Sequence, residues 1–325
     1  MSTVAKTSVV VLLYLTCATC LLAEETEQRT KKYTSRSPEE ATAWQHELRG
    51  DLAKLMKMDD LIGAEKKIPL EFKIISTEKR DKYTYNVVEF NSTPGRRIQA
   101  VLTVPTGVKG PFPAVLSIPG HGGKKESPYQ PGGYNQFTHL LAEKGYVTIC
   151  TSVSRHEVYE KGRTLMGERL WDLMRCVDLL ESRDDVDDKR IGCAGLSLGG
   201  EMAMWLGAMD ERIRASVSSG FLTRMDQMEQ DHCMCWKFPG LRQLVDFADI
   251  YSMTAPRALL CQNGMKEKPT WFPVSIAKEE MKDIKHIYKD FGKPDNAAFV
   301  AHPEGHVIDV PSLIPFIEKH VKRAK

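Results

Sequence analysis

The stretch Arg190-Ile191-Gly192-Cys193-Ala194-Gly195-Leu196-Ser197-Leu198-Gly199-Gly200-Glu201-Met202-Ala203 leaves this chain little freedom in how it folds. An apolar run of strand character enters a glycine, then a serine, then two more glycines, and leaves as an alanine- and methionine-rich helix. Gly195-Leu196-Ser197-Leu198-Gly199 is a G-x-S-x-G pattern in the strand–turn–helix setting that gives it meaning. Glycines two residues either side of the serine remove side chains that would collide inside so sharp a turn. The serine hydroxyl then projects from the sheet, and the following helix points its N-terminal amides to where an oxyanion would develop. In that setting Ser197 reads as a nucleophile, against a plain tight turn.

A chain of 325 residues, 42% hydrophobic and 27% charged, suits one large α/β domain or two small ones. Its 45 basic residues nearly balance 43 acidic ones without a long basic run, which gives no case for a nucleic-acid partner. From Pro113 onward, strand-like and helix-like runs alternate. Strands are expected at 114–118, 146–151, 191–194, 213–218, 257–262 and 297–301, and helices at 134–144, 164–182, 200–209, 274–291 and 311–323. That alternation implies a mostly parallel sheet with helices on both faces. Before it come strand-like runs at 72–76, 83–90 and 98–104, with Pro94-Gly95 marking a turn. Ser37-Pro38-Glu39-Glu40 opens a helix with a serine cap, a proline in the first turn and acids near the positive end. The organisation expected is a single domain over 38–325, with 38–63 as an N-terminal helical extension.

Residues 1–23 have the charged start, short apolar core and small residue before a polar stretch of a secretory signal peptide, cleaved after Ala23 or alternatively Ala18. That places the mature protein in the periplasm or outside the cell, without stable membrane insertion; an uncleaved membrane anchor is the alternative. Cys17 and Cys20 lack the small preceding residues of a lipoprotein signal. Residues 24–37 read as a flexible leader. Of the six remaining cysteines, Cys150, Cys176, Cys193 and Cys261 fall in apolar runs as buried small hydrophobes, not a disulfide framework. Cys233-Met234-Cys235 is too tightly spaced for an easy internal bridge and has no partner pair in sequence for zinc. No metal or cofactor is expected.

A serine hydroxyl is a poor nucleophile without a base, and in this topology the order is serine, acid, histidine. His306, after the last strand and before the last helix, is the candidate base; His302 is its rival, held extended by the following proline. His121, His139, His156, His232, His286 and His320 read as structural, surface or pocket-lining. The acid should follow the strand at 257–262, where the loop 263–273 contains one carboxylate, Glu267. Asp246 and Asp249, in the preceding connection, are the alternatives. For the oxyanion, one donor should be the amide of Leu198. The other should come from Pro119-Gly120-His121-Gly122-Gly123, where His121, Gly122 and Gly123 let the backbone approach a carbonyl oxygen. The long connection 219–254, with Phe221, Met225, Met228, Trp236 and Phe238, reads as a cap over the site.

With these motifs together the chain resembles the dienelactone-hydrolase-like and acetyl-xylan-esterase-like branch of the α/β-hydrolase superfamily. The resemblance is carried by Pro119–Gly123, Val186–Gly192, Gly195–Gly200, Ala255–Leu260 with Asn263-Gly264, and Gly305-His306, and covers about Arg96 to the C-terminus. It implies the α/β-hydrolase fold and a serine carboxylic-ester hydrolase, of short-acyl or acetylated-polysaccharide type. Glu267 stands where relatives usually have aspartate. A serine peptidase of the same fold usually carries a further large domain, for which this chain has no room; a silent binding protein would have lost the serine or histidine. Lys124, Arg155, Arg163 and Arg224, in loops that should face the site, read first as solvated surface charge and alternatively as holding one residue that binds a substrate carboxylate; Arg155, Arg224 and Trp236 are the substrate-contacting candidates.

Overall fold

The computed structural model describes residues 29–63 and 68–322. The segment 1–23, and the leader up to residue 28, lie outside the described residues. The described chain forms one nine-stranded sheet. β1 (Lys73–Lys79), β2 (Tyr83–Thr93) and β3 (Arg96–Pro105) run antiparallel. β4 (Phe112–Ile118), β5 (Val147–Thr151), β6 (Val186–Leu196), β7 (Ile213–Ser219), β8 (Ala258–Gly264) and β9 (Ala297–His302) pair in parallel, in the spatial order β1-β2-β3-β5-β4-β6-β7-β8-β9. Every residue of β4, β5 and β8 is buried, as an uninterrupted apolar run demands when helices cover both faces. β1 is exposed along its whole length, and Lys73, Glu78 and Lys79 blunt it as an edge.

The order places the site. From β4 the chain steps outward to β5 and then crosses back to β6 on the other side. Loops leaving β4 and β6 therefore diverge, and the crevice beyond their carboxyl ends is where ligands bind in open α/β sheets. The loop 119–124 leaves β4, and Ser197 leaves β6.

The helices follow their local signals. α1 (Pro38–Leu55) starts on Ser37, whose hydroxyl accepts from the Glu40 amide at 3.2 Å, with Pro38 in the first position. Its Gln45 and Arg49 donate to main-chain carbonyls of Ser252, Ala255, Ala208 and Met253, so the extension is fastened to the domain. α2 (Phe137–Glu143) begins three residues later than the sequence suggests, because Asn135 and Gln136 take left-handed backbone angles. α3 (Leu165–Glu181) is capped by Thr164, and α4 (Leu198–Met209) follows the elbow with all of its residues buried. Trp171 and Trp205 on these two helices are 1% and 0% exposed, each side chain contributing about 2–3 kcal/mol of hydrophobic stabilisation. α8 (Val274–Asp290) covers the sheet near β8 and β9. The C-terminal helix expected over 311–323 is instead α9 (Val310–Ile317), with Pro315 removing an N–H from its middle, followed by a π-helical turn over Glu318–Lys322.

The connection 219–254 holds three short helices that its sequence does not announce: α5 (Met225–Asp231), α6 (Leu241–Leu244) and α7 (Phe247–Ser252). Its core is aromatic, with Phe221 and Trp236 each edge-on to Phe247 at 5.0 and 5.4 Å between centroids. The expected flexible leader is corrected over its described part. Thr30 and Lys31 amides donate to the carbonyls of Gln243 and Leu244 at 2.9 and 2.8 Å, and the Tyr33 hydroxyl donates to Asp290 at 2.6 Å. Two main-chain bonds and a buried-side phenol tie this stretch to the connection and to α8.

Candidate active site

Ser197 sits at φ 60°, ψ −122°, a backbone region that costs a non-glycine residue about 1–3 kcal/mol. Its amide donates to Ser219 O at 2.9 Å, which holds the turn from the β7 side. A Cβ on Gly195 would lie 2.2 Å from Gly199 O, and one on Gly199 would lie 2.1 Å from Ile118 O. Both glycines are thus required by backbone-to-backbone approach, the physical content of the motif.

His306 lies in the loop after β9 and points its Nδ1 at Glu267 Oε1, 2.8 Å away. Glu267 reaches it because two loops are zipped together: Met265 and Lys266 amides donate to the carbonyls of His302 and Glu304 at 2.8 and 3.1 Å. Gly264 permits that approach, since a Cβ there would meet Gly305 O at 2.2 Å. The Glu267 side chain is 2% exposed, and among the described residues its Oε2 has no partner while its Oε1 bonds the imidazole. Phe272 stacks on the His306 ring at 5.5 Å and 14°, and Trp271 stands edge-on at 5.3 Å. Gly220, at φ +56°, gives the ring its room: a Cβ would lie 2.8 Å from Cε1 and 3.0 Å from Nδ1. Sequence reasoning missed Gly220, because its neighbour is 86 positions away in the chain.

The alternatives are placed elsewhere. His302 is buried, neither ring nitrogen is bonded among the described residues, and burial pushes its pKa down. Asp246 and Asp249 form the capping box of α7, and Asp249 also pairs with Arg29 at 3.3 Å. Burial raises both carboxyl pKa values.

In the loop after β4, the Gly120 amide donates to Tyr134 Oη at 2.6 Å and the Gly123 amide to Gly120 O at 3.0 Å. Gly123 is therefore not a free donor, a correction to the expected set. The amides of His121 and Gly122 remain unpaired among the described residues, as does that of Leu198 in the first turn of α4. Tyr134 is a second residue that sequence did not suggest. Its oxygen accepts from Gly120, which turns its own O–H toward other acceptors, and burial raises its pKa.

These groups line one cleft of about 460 Å³, formed by Gly120, His121, Gly133, Tyr134, Leu196, Ser197, Asp231, His232, Cys233, Trp271, Phe272 and His306. From the connection after β7 only Asp231, His232 and Cys233 take part. His232, packed at 4.9 Å on Phe272, has its pKa lowered by burial. His121 is pushed down to about 4, by burial first and then by the Arg169 charge.

The three substrate-contacting candidates do not line this cleft. Arg155 pairs with Glu168 at 2.7 Å and Asp172 at 3.0 Å, both acids nearly fully buried on α3, and is a core cation. Arg224 is exposed and pairs with Asp226 at 3.2 Å. Trp236 is 1% exposed inside the aromatic core of the connection. Lys124 and Arg163 are likewise absent from the lining, and Arg163 is hydrogen-bonded to Asp60.

The match to a family model, described as acetyl xylan esterase (AXE1), runs over residues 57–230, more than half of the chain. The chain belongs to the acetyl xylan esterase (AXE1) family. It is a carboxylesterase-type serine hydrolase. The matched region contains the elbow and the loop after β4, and stops short of Glu267 and His306. The Bacillus subtilis (strain 168) protein YtaP, a candidate hydrolase, is 24% identical over 264 residues, spanning 73% of this chain and 87% of that one. The fold matches BF1801 of Bacteroides fragilis NCTC 9343, a candidate acetyl xylan esterase, with TM-score 0.69, 22% identity and coverage of 86% and 80%. It also matches a glucuronoyl esterase from Solibacter usitatus with TM-score 0.64, 17% identity and coverage of 89% and 97%. Among the described residues no helix is long and apolar enough to cross a membrane.

Proposed function

We propose that the protein removes short acyl groups, of acetyl type, from a carbohydrate through an acyl-enzyme on Ser197. His306 Nε2 takes the Ser197 proton as the hydroxyl oxygen attacks the ester carbonyl. Glu267 fixes the imidazole tautomer through Nδ1 and stabilises the imidazolium. The amides of Leu198, His121 and Gly122, with the Tyr134 hydroxyl, hold the oxyanion. The proton then passes from His306 to the leaving alcohol oxygen. Water, deprotonated by the same histidine, attacks the acyl carbonyl and releases the carboxylic acid and free serine.

The observation that carries this reading is the 2.8 Å Nδ1–Oε1 bond beside a strained serine in one cleft. Support for a neutral carbohydrate substrate comes from the lining, which includes Asp231 and no lysine or arginine among the described residues. Lys268 stands just outside that lining, its ammonium covering one face of Trp271 at 4.5 Å from the ring centroid. Asp231 offers an acceptor for the hydroxyls of a neutral sugar. Export by the segment 1–23 would suit an enzyme acting on a polymeric carbohydrate.

The test is hydrolysis of p-nitrophenyl acetate, butyrate and octanoate, acetylated xylan and a methyl glucuronate ester by the wild type, Ser197→Ala and Glu267→Gln. Activity should fall with acyl length, vanish in Ser197→Ala, and drop by about 10²–10⁴ in Glu267→Gln. Faster turnover of the methyl glucuronate ester than of acetyl esters would overturn the substrate class. Undiminished Glu267→Gln would remove Glu267 from the mechanism.

A further inference from the structure

Four potential metal ligands converge at the rim of this cleft from three loops: His121 after β4, His156 after β5, and Cys233 and Cys235 between α5 and α6. One ligand atom from each lies within 4.8 Å of all the others. His121 Nε2 is 3.1 Å from Cys235 Sγ, and His156 Nε2 is 3.5 Å from Cys233 Sγ. The imidazole rings are 5.6 Å apart and inclined at 57°, so their nitrogens converge without stacking. In a tetrahedron with zinc–sulfur bonds of about 2.3 Å and zinc–nitrogen bonds of about 2.0 Å, ligand atoms stand about 3.3–3.8 Å apart. These two imidazole–thiol pairs already match that spacing to within a few tenths of an ångström, and the remaining pairs, all within 4.8 Å, need to contract by at most about 1.5 Å.

The tightly spaced cysteines, which lack a partner pair in sequence, acquire one in space from His121 and His156. The surroundings fit a thiolate site. Arg169, fully buried, donates from Nη1 to Cys235 Sγ at 3.4 Å and from Nη2 to Arg155 O at 2.5 Å. It supports the sulfur and the backbone beside His156 together, the role that outer hydrogen bonds play around metal ligands.

We propose that His121, His156, Cys233 and Cys235 bind one Zn²⁺ ion. Two thiols lose their protons to solvent on binding, so two thiolates and two neutral imidazoles leave the filled site without net charge. With four protein ligands the coordination is closed, which makes this a structural clamp and not a water-activating centre. What it clamps is specific: the connection after β7 is tied to the loop that carries the His121 amide. The effect on catalysis rests on the oxyanion role proposed for that amide; the binding does not.

The full chain is reduced, stripped with a chelator and dialysed against Zn²⁺, and its metal content is measured with competition from a chromogenic chelator. One equivalent per chain is expected. His156→Ala, Cys233→Ser and Cys235→Ser should each weaken binding by at least about 100-fold, while His286→Ala, on the exposed face of α8, leaves it unchanged. Co²⁺ in place of Zn²⁺ should give the visible bands of tetrahedral cobalt and a thiolate charge-transfer band that each cysteine variant diminishes. Zn²⁺ should raise the melting temperature of the wild type and not of the variants. No uptake by the reduced wild type overturns the site. Uptake that persists in His156→Ala and in both folded cysteine variants does so equally.

Discussion

Replacing Gly220 by alanine tests whether the His306 ring is set by the space it is given. The new Cβ would stand 2.8 Å from Cε1 and 3.0 Å from Nδ1, against an ordinary carbon contact of about 3.5–4.0 Å. The ring must therefore retreat by about 0.7–1 Å, against Phe272 and Trp271, which already touch it. The Nδ1–Oε1 distance would open from 2.8 Å toward about 3.5 Å, where little of a hydrogen bond remains. A displacement of that size at a catalytic base costs about 10² in kcat, or about 2.7 kcal/mol of transition-state stabilisation. The left-handed backbone at φ +56° adds about 1–2 kcal/mol of strain to the fold. Gly292→Ala separates these two effects, because Gly292 has φ +65° and nothing within 4 Å of an added Cβ. Saturation kinetics on p-nitrophenyl acetate, with urea unfolding alongside, should show Gly220→Ala losing kcat and stability and Gly292→Ala losing stability alone. A folded Gly220→Ala with kcat within about twofold of wild type would refute the argument, as would an equal kcat loss in Gly292→Ala.

Tyr134→Phe strands the Gly120 amide and removes the O–H proposed for the oxyanion; kcat on p-nitrophenyl acetate should fall by about 10², with KM little changed. Arg155→Met leaves Glu168 short of its counter-charge and Asp172 with Arg96 alone, and should lower the unfolding free energy by about 3 kcal/mol while the ratio of charged to neutral ester turnover stays constant. Glu201, buried in α4 with Oε1 unpartnered among the described residues, is raised to about 7 by desolvation, against a pull in the other direction from Arg169. Its neutral form is favoured by the fold, so its contribution is intact below about pH 4.5 and is lost as pH rises through about 7. Glu201→Gln should accordingly match wild type in urea unfolding at pH 4.5 and exceed it by about 3 kcal/mol at pH 8.

What could be read from the sequence follows from distance along the chain. The elbow is a local object: Gly195, Ser197 and Gly199 meet within five residues, so their spacing records the turn that requires them. The alternation of apolar runs records a sheet covered on both faces, because each strand must be apolar on both sides wherever it sits. The contents of the cleft are written over long separations. Arg155 reads as a loop cation facing the substrate until α3 presents Glu168 and Asp172 to it, and nothing near position 155 announces two buried acids. Trp236 likewise reads as a pocket residue until Phe247 covers it.

Glu267 is an intermediate case. It stands out as the one carboxylate in its loop, but its approach to His306 depends on two main-chain bonds between the β8 and β9 loops and on the absence of a side chain at Gly264. The same reasoning explains why the histidine–cysteine cluster is invisible in the chain order. Its ligands come from positions 121, 156, 233 and 235, and only the strand order, with β5 and β6 flanking β4 and β7 beside β6, brings those three loops to one rim. The loop after β4 and the connection after β7 then meet at one rim, because the switch in strand order opens a crevice beside both of them.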